Sequence, residues 1–248
     1  MSEEELLREM NAMKSELESL SAEKTKLLSI VSHDIKSPFN RIFALVNLMK
    51  MDTDNLTDEQ KEYLSKIQQV VKDGMSLIRN MLDMRSIEGD GITMKWEEVD
   101  VVQTLKGVLK NAKAIAELKN INLKFSATQD SITLRTDKHY LTRIIENLLS
   151  NALKFSQTDT AVGIKIFLKD EMACIAVIDE GPGIDIEEQK QMYQKYVSLS
   201  SKPTDGESTT GLGLYIVKAL LDKINGEISC DSIVGKGTTV TVRLPLIN

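Results

Sequence analysis

Apolar side chains recur at Leu6, Met10, Met13, Leu17 and Leu20, then, past Lys24, at Leu27 and Val31, with glutamate and lysine between them. This three-four alternation keeps one stripe of a helix apolar and is the seam of a coiled coil. After one extra four-residue step, which locally unwinds a supercoil, the series continues through Ile35, Pro38, Ile42, Leu45 and Met49. The stretch DTDNL (52–56) breaks the pattern, and TDEQ (57–60) is a capping-box signature that opens a second helix with seam positions Leu64, Ile67, Val71, Gly74, Ile78 and Met81. Two such helices leave much apolar face uncovered. A four-helix bundle made by two chains covers it, so the pattern predicts a homodimer.

Beyond SIEGDG (86–91) the period changes, and the domain boundary is expected near Gly89. Strand-like runs TMKWEEV, INLKFSA and SITLRT alternate with helical stretches around 101–119 and 138–155. A hairpin across Asp170 and Glu171, helices near 185–196 and 212–225, and a closing strand pair around EISCDS and TTVTVRLPL follow. The expected fold class is α+β: an N-terminal coiled coil and helical hairpin in a dimeric four-helix bundle, then an α/β sandwich with helices on one face of a sheet.

Composition narrows the functional classes. The 248 residues carry 31 basic and 37 acidic side chains, a net charge of -6, so a polyanion is met by a local site or a metal ion and nucleic acid is not an expected partner. Cys174 and Cys230 lie far apart in strand-like segments without CxxC spacing, as reduced core thiols do. No apolar run reaches the ~20 residues of a membrane helix, and the acidic MSEEELLREM start is unlike a signal peptide. The expected setting is soluble and cytoplasmic, and a chain starting directly in a heptad has the look either of the output half of a longer, membrane-attached receptor or of a piece cut at that point.

Candidate chemistry concentrates in four places. SHDIKSPF (32–39) holds one of only two histidines. His33 sits about 200° around the helix from both Val31 and Ile35, so it should face solvent. Asp34 beside it can fix the ring tautomer that leaves one nitrogen nucleophilic, and Pro38 removes the N–H that would bond the Asp34 carbonyl, which should bend the helix. In TRIIENLLSNALKFS (142–156), Arg143, Asn147, Asn151 and Lys154 share one stripe. Asparagine is a poor helix former, and its carboxamide oxygen suits Mg²⁺, which shares itself with phosphates; a solvated polar face is the bland alternative. IDEGPGI (178–184) puts Asp179 at a strand end before two glycines that let a flat ligand approach, although an ordinary turn has the same composition. TTGLGLYIV (209–217) runs from a glycine-rich loop into a helix whose first N–H groups can hold phosphate oxygens. The polar stretch 197–208 before it has the composition of a lid.

SHDIKSPFNRI resembles the phosphoacceptor box of sensor histidine kinases, and the order asparagine helix, DxGxG, lid, GLGL is similar to the ATP-binding fold shared by those kinases with DNA gyrase, a heat-shock chaperone and mismatch-repair ATPases. The resemblance spans about residue 27 to the C-terminus. With the heptad segment 1–26 read as a coiled-coil signalling helix, it implies a dimerisation and histidine phosphotransfer domain (27–88) and a catalytic ATP-binding domain (89–248). It further implies that His33 accepts the phosphoryl group with Asp34 as adjacent acid or base. Ser37 occupies the position where members that also dephosphorylate their partner usually carry threonine or asparagine. Asn151 would ligate Mg²⁺, Asn147 and Lys154 would support the ion and phosphates, and Asp179 would bind the adenine amine. Gly181 and Gly183 would floor the base pocket, with Gly211 and Gly213 at the phosphate end. MYQKYV (192–197) matches the aromatic segment before the lid, with tyrosines in place of phenylalanines, and His139 matches no functional position. The implied activity is an ATP-dependent histidine kinase that relays its phosphoryl group to an aspartate of a response-regulator receiver domain. A dimeric scaffold switched by nucleotide, without phosphotransfer, is the alternative.

Overall fold

The structure, a computed structural model, describes residues 3–51, 55–88, 94–204 and 209–246; side chains at 3, 4, 18, 21, 22, 24–33, 85, 86 and 88 are outside the description. The expected orientation of His33 and the boundary near Gly89 therefore lie outside the described residues, as does most of the break at 52–56. The chain divides into two compact units, Met1–Ile92 and Thr93–Asn248.

The first unit is a pair of helices, α1 (Glu3–Met51) and α2 (Asp58–Glu88). α1 runs unbroken through Pro38. Thr57 and Gln60 form the reciprocal capping box read from TDEQ: the Gln60 N–H donates to Thr57 Oγ1 at 3.2 Å and the Thr57 N–H to Gln60 Oε1 at 2.9 Å. Val46, Leu64, Val71 and Ile78 are buried. Gly74 lies so close to the Phe39 ring that a β-carbon there would overlap it. A polar interlock joins the helices, with Lys50 Nζ donating to Gln68 Oε1 at 2.9 Å and Gln68 Nε2 to Asn47 Oδ1 at 2.8 Å. This packing divides the α2 seam, burying Leu64, Val71 and Ile78 and leaving Ile67 and Met81 out, and it leaves the α1 series uncovered. Ile35, Ile42, Leu45 and Met49 are exposed in the single chain, as are Ile67 and Met81 of α2. α1 is apolar on two faces, and the face carrying Phe39 and Val46 is the one that meets α2.

The second unit starts with β1 (Glu97–Asp100), α3 (Val101–Leu118), β2 (Asn122–Ala127), β3 (Thr133–Thr136) and α4 (Lys138–Phe155). It continues with β4 (Ala161–Lys169), β5 (Met172–Asp179), α5 (Ile186–Gln189), α6 (Gly213–Lys223), β6 (Glu227–Ile233) and β7 (Gly237–Pro245). β1 and β3 pair antiparallel in a small sheet, and the main sheet has the order β2-β4-β5-β7-β6, parallel only at β2-β4. Asp170 (φ 50°) and Glu171 (φ 59°) turn the β4–β5 hairpin, both left-handed as a two-residue primed turn requires.

Alternation along the strands sends Val162, Ile164 and Ile166 of β4 inward with Ile175 and Val177 of β5 and Val242 of β7, all buried. α3 packs on β2, α4 on β5 and α6 on β6, which makes the sandwich. Each fully buried Leu or Ile contributes about 1.5–3 kcal/mol relative to exposure. α4 is the central helix, with ten of its 18 residues buried, including Arg143 and Asn147; its asparagine stripe is thus not a solvated polar face. Its start is capped by Asp137, whose Oδ1 accepts the His139 and Tyr140 N–H groups at 2.9 and 3.1 Å; His139 is exposed. The helix expected near 185–196 is confined to Ile186–Gln189. Turns follow instead, because Tyr196 adopts a left-handed φ of 62° and turns its N–H to the Gly211 carbonyl at 3.0 Å.

Candidate functional site: a cleft between the central helix and the sheet

β5 delivers Asp179 to one end of a cleft with a cavity volume of about 70 Å³. Its walls are apolar, from Leu148, Ala152, Phe155, Val177, Ile184, Leu214 and Val240, and Asn151, Asp179 and Thr238 supply its polar groups. Asp179 Oδ1 accepts the N–H of Gly181 at 2.9 Å and that of Thr238 at 3.2 Å. Burial lifts this carboxyl above its ordinary value, and the two backbone hydrogen bonds pull it partly back.

The glycines are required sterically. A β-carbon on Gly181 would lie 2.8 Å from Asp179 Oδ1 and 3.0 Å from the Phe155 carbonyl oxygen, and one on Gly183, at φ +73°, would fall on the Ile233 carbonyl. Ser232 ties the same corner, accepting the Ile184 N–H at 2.8 Å and donating to the Gly237 carbonyl at 3.0 Å.

The other end of the cleft is built by α4 and the start of α6. Asn151 lines it, and the β-carbon position of Gly213 is 3.7 Å from both amide atoms of Asn151. α6 starts without a side-chain cap, so its first-turn N–H groups are the ones a helix leaves for an anion. Gly211, at φ +64°, packs against the backbone of Tyr196 and Val197, 2.8 and 2.9 Å from where its β-carbon would be. One turn before Asn151, Asn147 is buried, and its Nδ2 has no hydrogen-bond partner among the described residues. Such an orphan donor is costly unless a ligand or water satisfies it. Lys154 is half-buried in the last turn of α4.

The loop 197–204 crosses the cleft. Leu199 and Ser201 line it, the Ser200 N–H and Oγ bond the Glu188 carboxylate at 2.7 and 3.0 Å, and Ser201 Oγ donates to the Gly183 carbonyl at 3.3 Å. Burial pushes the Cys230 thiol up to about 11, with help from Asp231 and Asp179, and raises the Tyr193 hydroxyl further.

Of the residues singled out from the sequence, Asn151, Asp179 and Gly183 line the cleft, Gly181 supports Asp179, and Gly213 adjoins Asn151. Asn147, Lys154 and Gly211 flank it. Thr238, Ser232 and Gly237 went unread. Gly237, at φ +111° with its β-carbon position on the Asp179 carbonyl, is the one with a local signal, a glycine–threonine step at a strand start. His33, Asp34 and Ser37 lie in α1 of the other unit, Asp34 and Ser37 exposed. Among the described residues no group of three His, Cys, Asp or Glu is placed to hold a metal. The Asn151 carboxamide offers a hard oxygen of the kind Mg²⁺ takes, and the N–H groups at the start of α6 suit phosphate oxygens, so the residues fit a nucleotide with its metal ion.

An α/β sandwich whose cleft joins a half-buried acid at one end to an uncapped helix start at the other has the parts of a nucleotide-binding domain. Residues 136–248 match the family model described as Histidine kinase-, DNA gyrase B-, and HSP90-like ATPase, and residues 23–90 match the His Kinase A (phospho-acceptor) domain. The chain belongs to the sensor histidine kinases of two-component systems. It is 34% identical over 154 residues to the sensor protein EvgS of Escherichia coli, covering 60% of this chain and 13% of EvgS. It is 29% identical over 242 residues to the histidine protein kinase SaeS of Staphylococcus aureus, covering 97% of this chain and 68% of SaeS. The solved structure of full-length ShkA in complex with AMPPNP shares the fold, with a TM-score of 0.67 at 24% identity over 89% of this chain and 45% of that one.

Proposed function

We propose that this chain is an ATP-dependent protein-histidine kinase that phosphorylates His33 and passes the group to an aspartate of a receiver domain. The observation that carries the reading is the presence, in one chain, of a phosphoacceptor-type helix pair bearing His33 and a separate cleft built for a nucleotide. Asp179 accepts the adenine amine: Oδ1 is engaged by Gly181 and Thr238, and a carboxylate accepts at both oxygens, which leaves Oδ2 for the base. Gly181 and Gly183 floor the base; Gly211, Gly213 and the first N–H groups of α6 hold phosphate oxygens. Asn147 donates its orphan Nδ2 to a phosphate oxygen or a metal-bound water, and Lys154 offsets charge. Mg²⁺, when bound, would be held by Asn151 and neutralise charge developing on the phosphates. One ring nitrogen of His33 attacks in line; an N–P bond forms as the bond from the γ-phosphorus to the bridging oxygen breaks, ADP leaves, and Asp34 takes the ring proton. Positioning supplies most of the rate.

The helical unit works as a homodimer, two copies of the exposed stripe Ile35, Ile42, Leu45 and Met49 covering one another. The protein is incubated with γ-labelled ATP and Mg²⁺, and the product is divided between acid and alkali. Label lost in acid and kept in alkali is expected, as is its loss in His33→Gln with nucleotide binding intact. Undiminished labelling of that variant, or ATP turnover with no phosphoprotein, overturns the proposal.

A further inference from the structure

Helix α4 ends at Phe155, so its last carbonyls have no partner within the helix. The carbonyl of Ala152 is taken by the Ser156 N–H at 3.0 Å. The next two are satisfied from elsewhere in the chain. Lys119 Nζ donates to the Leu153 carbonyl at 3.2 Å, and Thr204 donates both its N–H and its Oγ1–H to the Lys154 carbonyl, each at 3.1 Å. Lys119 Nζ also donates to Thr204 Oγ1 at 3.2 Å, which joins the three groups. Thr204 closes the described part of the loop over the cleft; Lys154 and Phe155 form the last turn of α4, and Phe155 is a wall of the cleft.

A lysine that is 7% exposed as a whole is costly to bury unless its ammonium donors are used, and a mere surface lysine would not be turned inward. Its direction is set by the end of α3. Asn120 takes a left-handed φ of 53°, its N–H bonds the Glu117 carbonyl at 3.1 Å, and the Ile121 N–H bonds the Ala116 carbonyl at 2.8 Å, a Schellman turn. The cation then meets the negative end of the α4 dipole.

We propose that Lys119 is a positioning residue for the nucleotide cleft: it pins the loop through Thr204 to the turn of α4 that carries Lys154 and Phe155, so that loop and cleft wall are held as one piece. This rests on the reading of the cleft as an ATP site. Lys119 touches no substrate; it acts through Thr204 and the Leu153 carbonyl. Three variants of the full chain test it. Lys119→Met removes the ammonium, Thr204→Val removes the hydroxyl at an exposed position where folding is not at risk, and Thr204→Ser keeps that hydroxyl.

Two readouts apply. In nucleotide-free protein, amide hydrogen exchange across 197–204 should speed in Lys119→Met and Thr204→Val and stay at the wild-type rate in Thr204→Ser. In autophosphorylation, the KM for ATP should rise about three- to tenfold in the first two, the range of one ordinary hydrogen bond, with kcat within about twofold. Thr204→Ser should match wild type, and the double variant should be no worse than the worse single. Unchanged exchange in Thr204→Val overturns the tether, and faster exchange with an unmoved KM overturns its positioning role. A wild-type chain that binds no ATP would instead sink the kinase reading, while the exchange data still decide the tether.

Discussion

Asp179 is held in two opposing ways, by burial that disfavours its charge and by two backbone N–H groups that favour it, and burial is the larger. A base amine bonds the ionised form, so ATP affinity should be full above the raised value and fall as pH drops through it. That loss comes at higher pH than an ordinary aspartate would give. Titrating ATP affinity against pH checks this, and a curve flat down to the range of an exposed carboxylate contradicts it. In Asp179→Asn an amide donor faces the base, and affinity should drop roughly ten- to a hundredfold, as expected for a hydrogen bond to a charged group. Gly237 is coupled to the same acid through its close approach to the Asp179 carbonyl at φ +111°. Gly237→Ala should cost about 1–3 kcal/mol and lower the thermal midpoint by roughly 2–10 °C, with weaker ATP binding because the Thr238 N–H moves. DxGxG was legible as an acid at a strand end before a glycine turn because strand, acid and glycines are contiguous. Thr238 was not, since it reaches Asp179 only through the β5–β7 register, 59 positions along the chain.

At the scale of elements, α1 does two jobs that one period describes poorly. Phe39 and Val46 meet α2, while Ile35, Ile42, Leu45 and Met49 stay uncovered. If a second chain covers that stripe, Leu45→Glu should turn a dimer into a monomer in sedimentation equilibrium without loss of helical circular dichroism. A wild-type chain that sediments as a monomer at micromolar concentration would defeat the homodimer. Periodicity marked an apolar stripe and could not say which partner it faces, because such a stripe does not distinguish a neighbouring helix from another copy. α4 and α6 were legible nearly to the residue, since each has a strong amphipathic period. The segment after α5 was not, because its path is set by the bond from Tyr196 to Gly211 and not by local propensity.

At the scale of the molecule, the cleft is assembled from pieces that never adjoin in sequence: the C-terminal half of α4, the end of β5, the loop 197–204, the start of α6 and the start of β7. The main sheet places β5 at its centre with β4 and β7 on either side, so that the strand ending in Asp179 lies under the helix carrying Asn151. Each unit has its own core, and the two family models divide between them in the same way.

The sequence by itself determined the class: a histidine on a seam-bearing helix, followed by an asparagine helix, an acid before glycines and a glycine-rich helix start, in that order. These signals are local, since caps, periods and glycine steps act over one or two turns. Only the tertiary structure decided that Arg143 and Asn147 are buried, that Thr238 and Ser232 brace the acid, and that Lys119 and Thr204 close the end of α4. Those facts depend on strand register and on which carbonyls a helix end leaves unpaired. They arise when distant segments must satisfy one another's hydrogen bonds away from water.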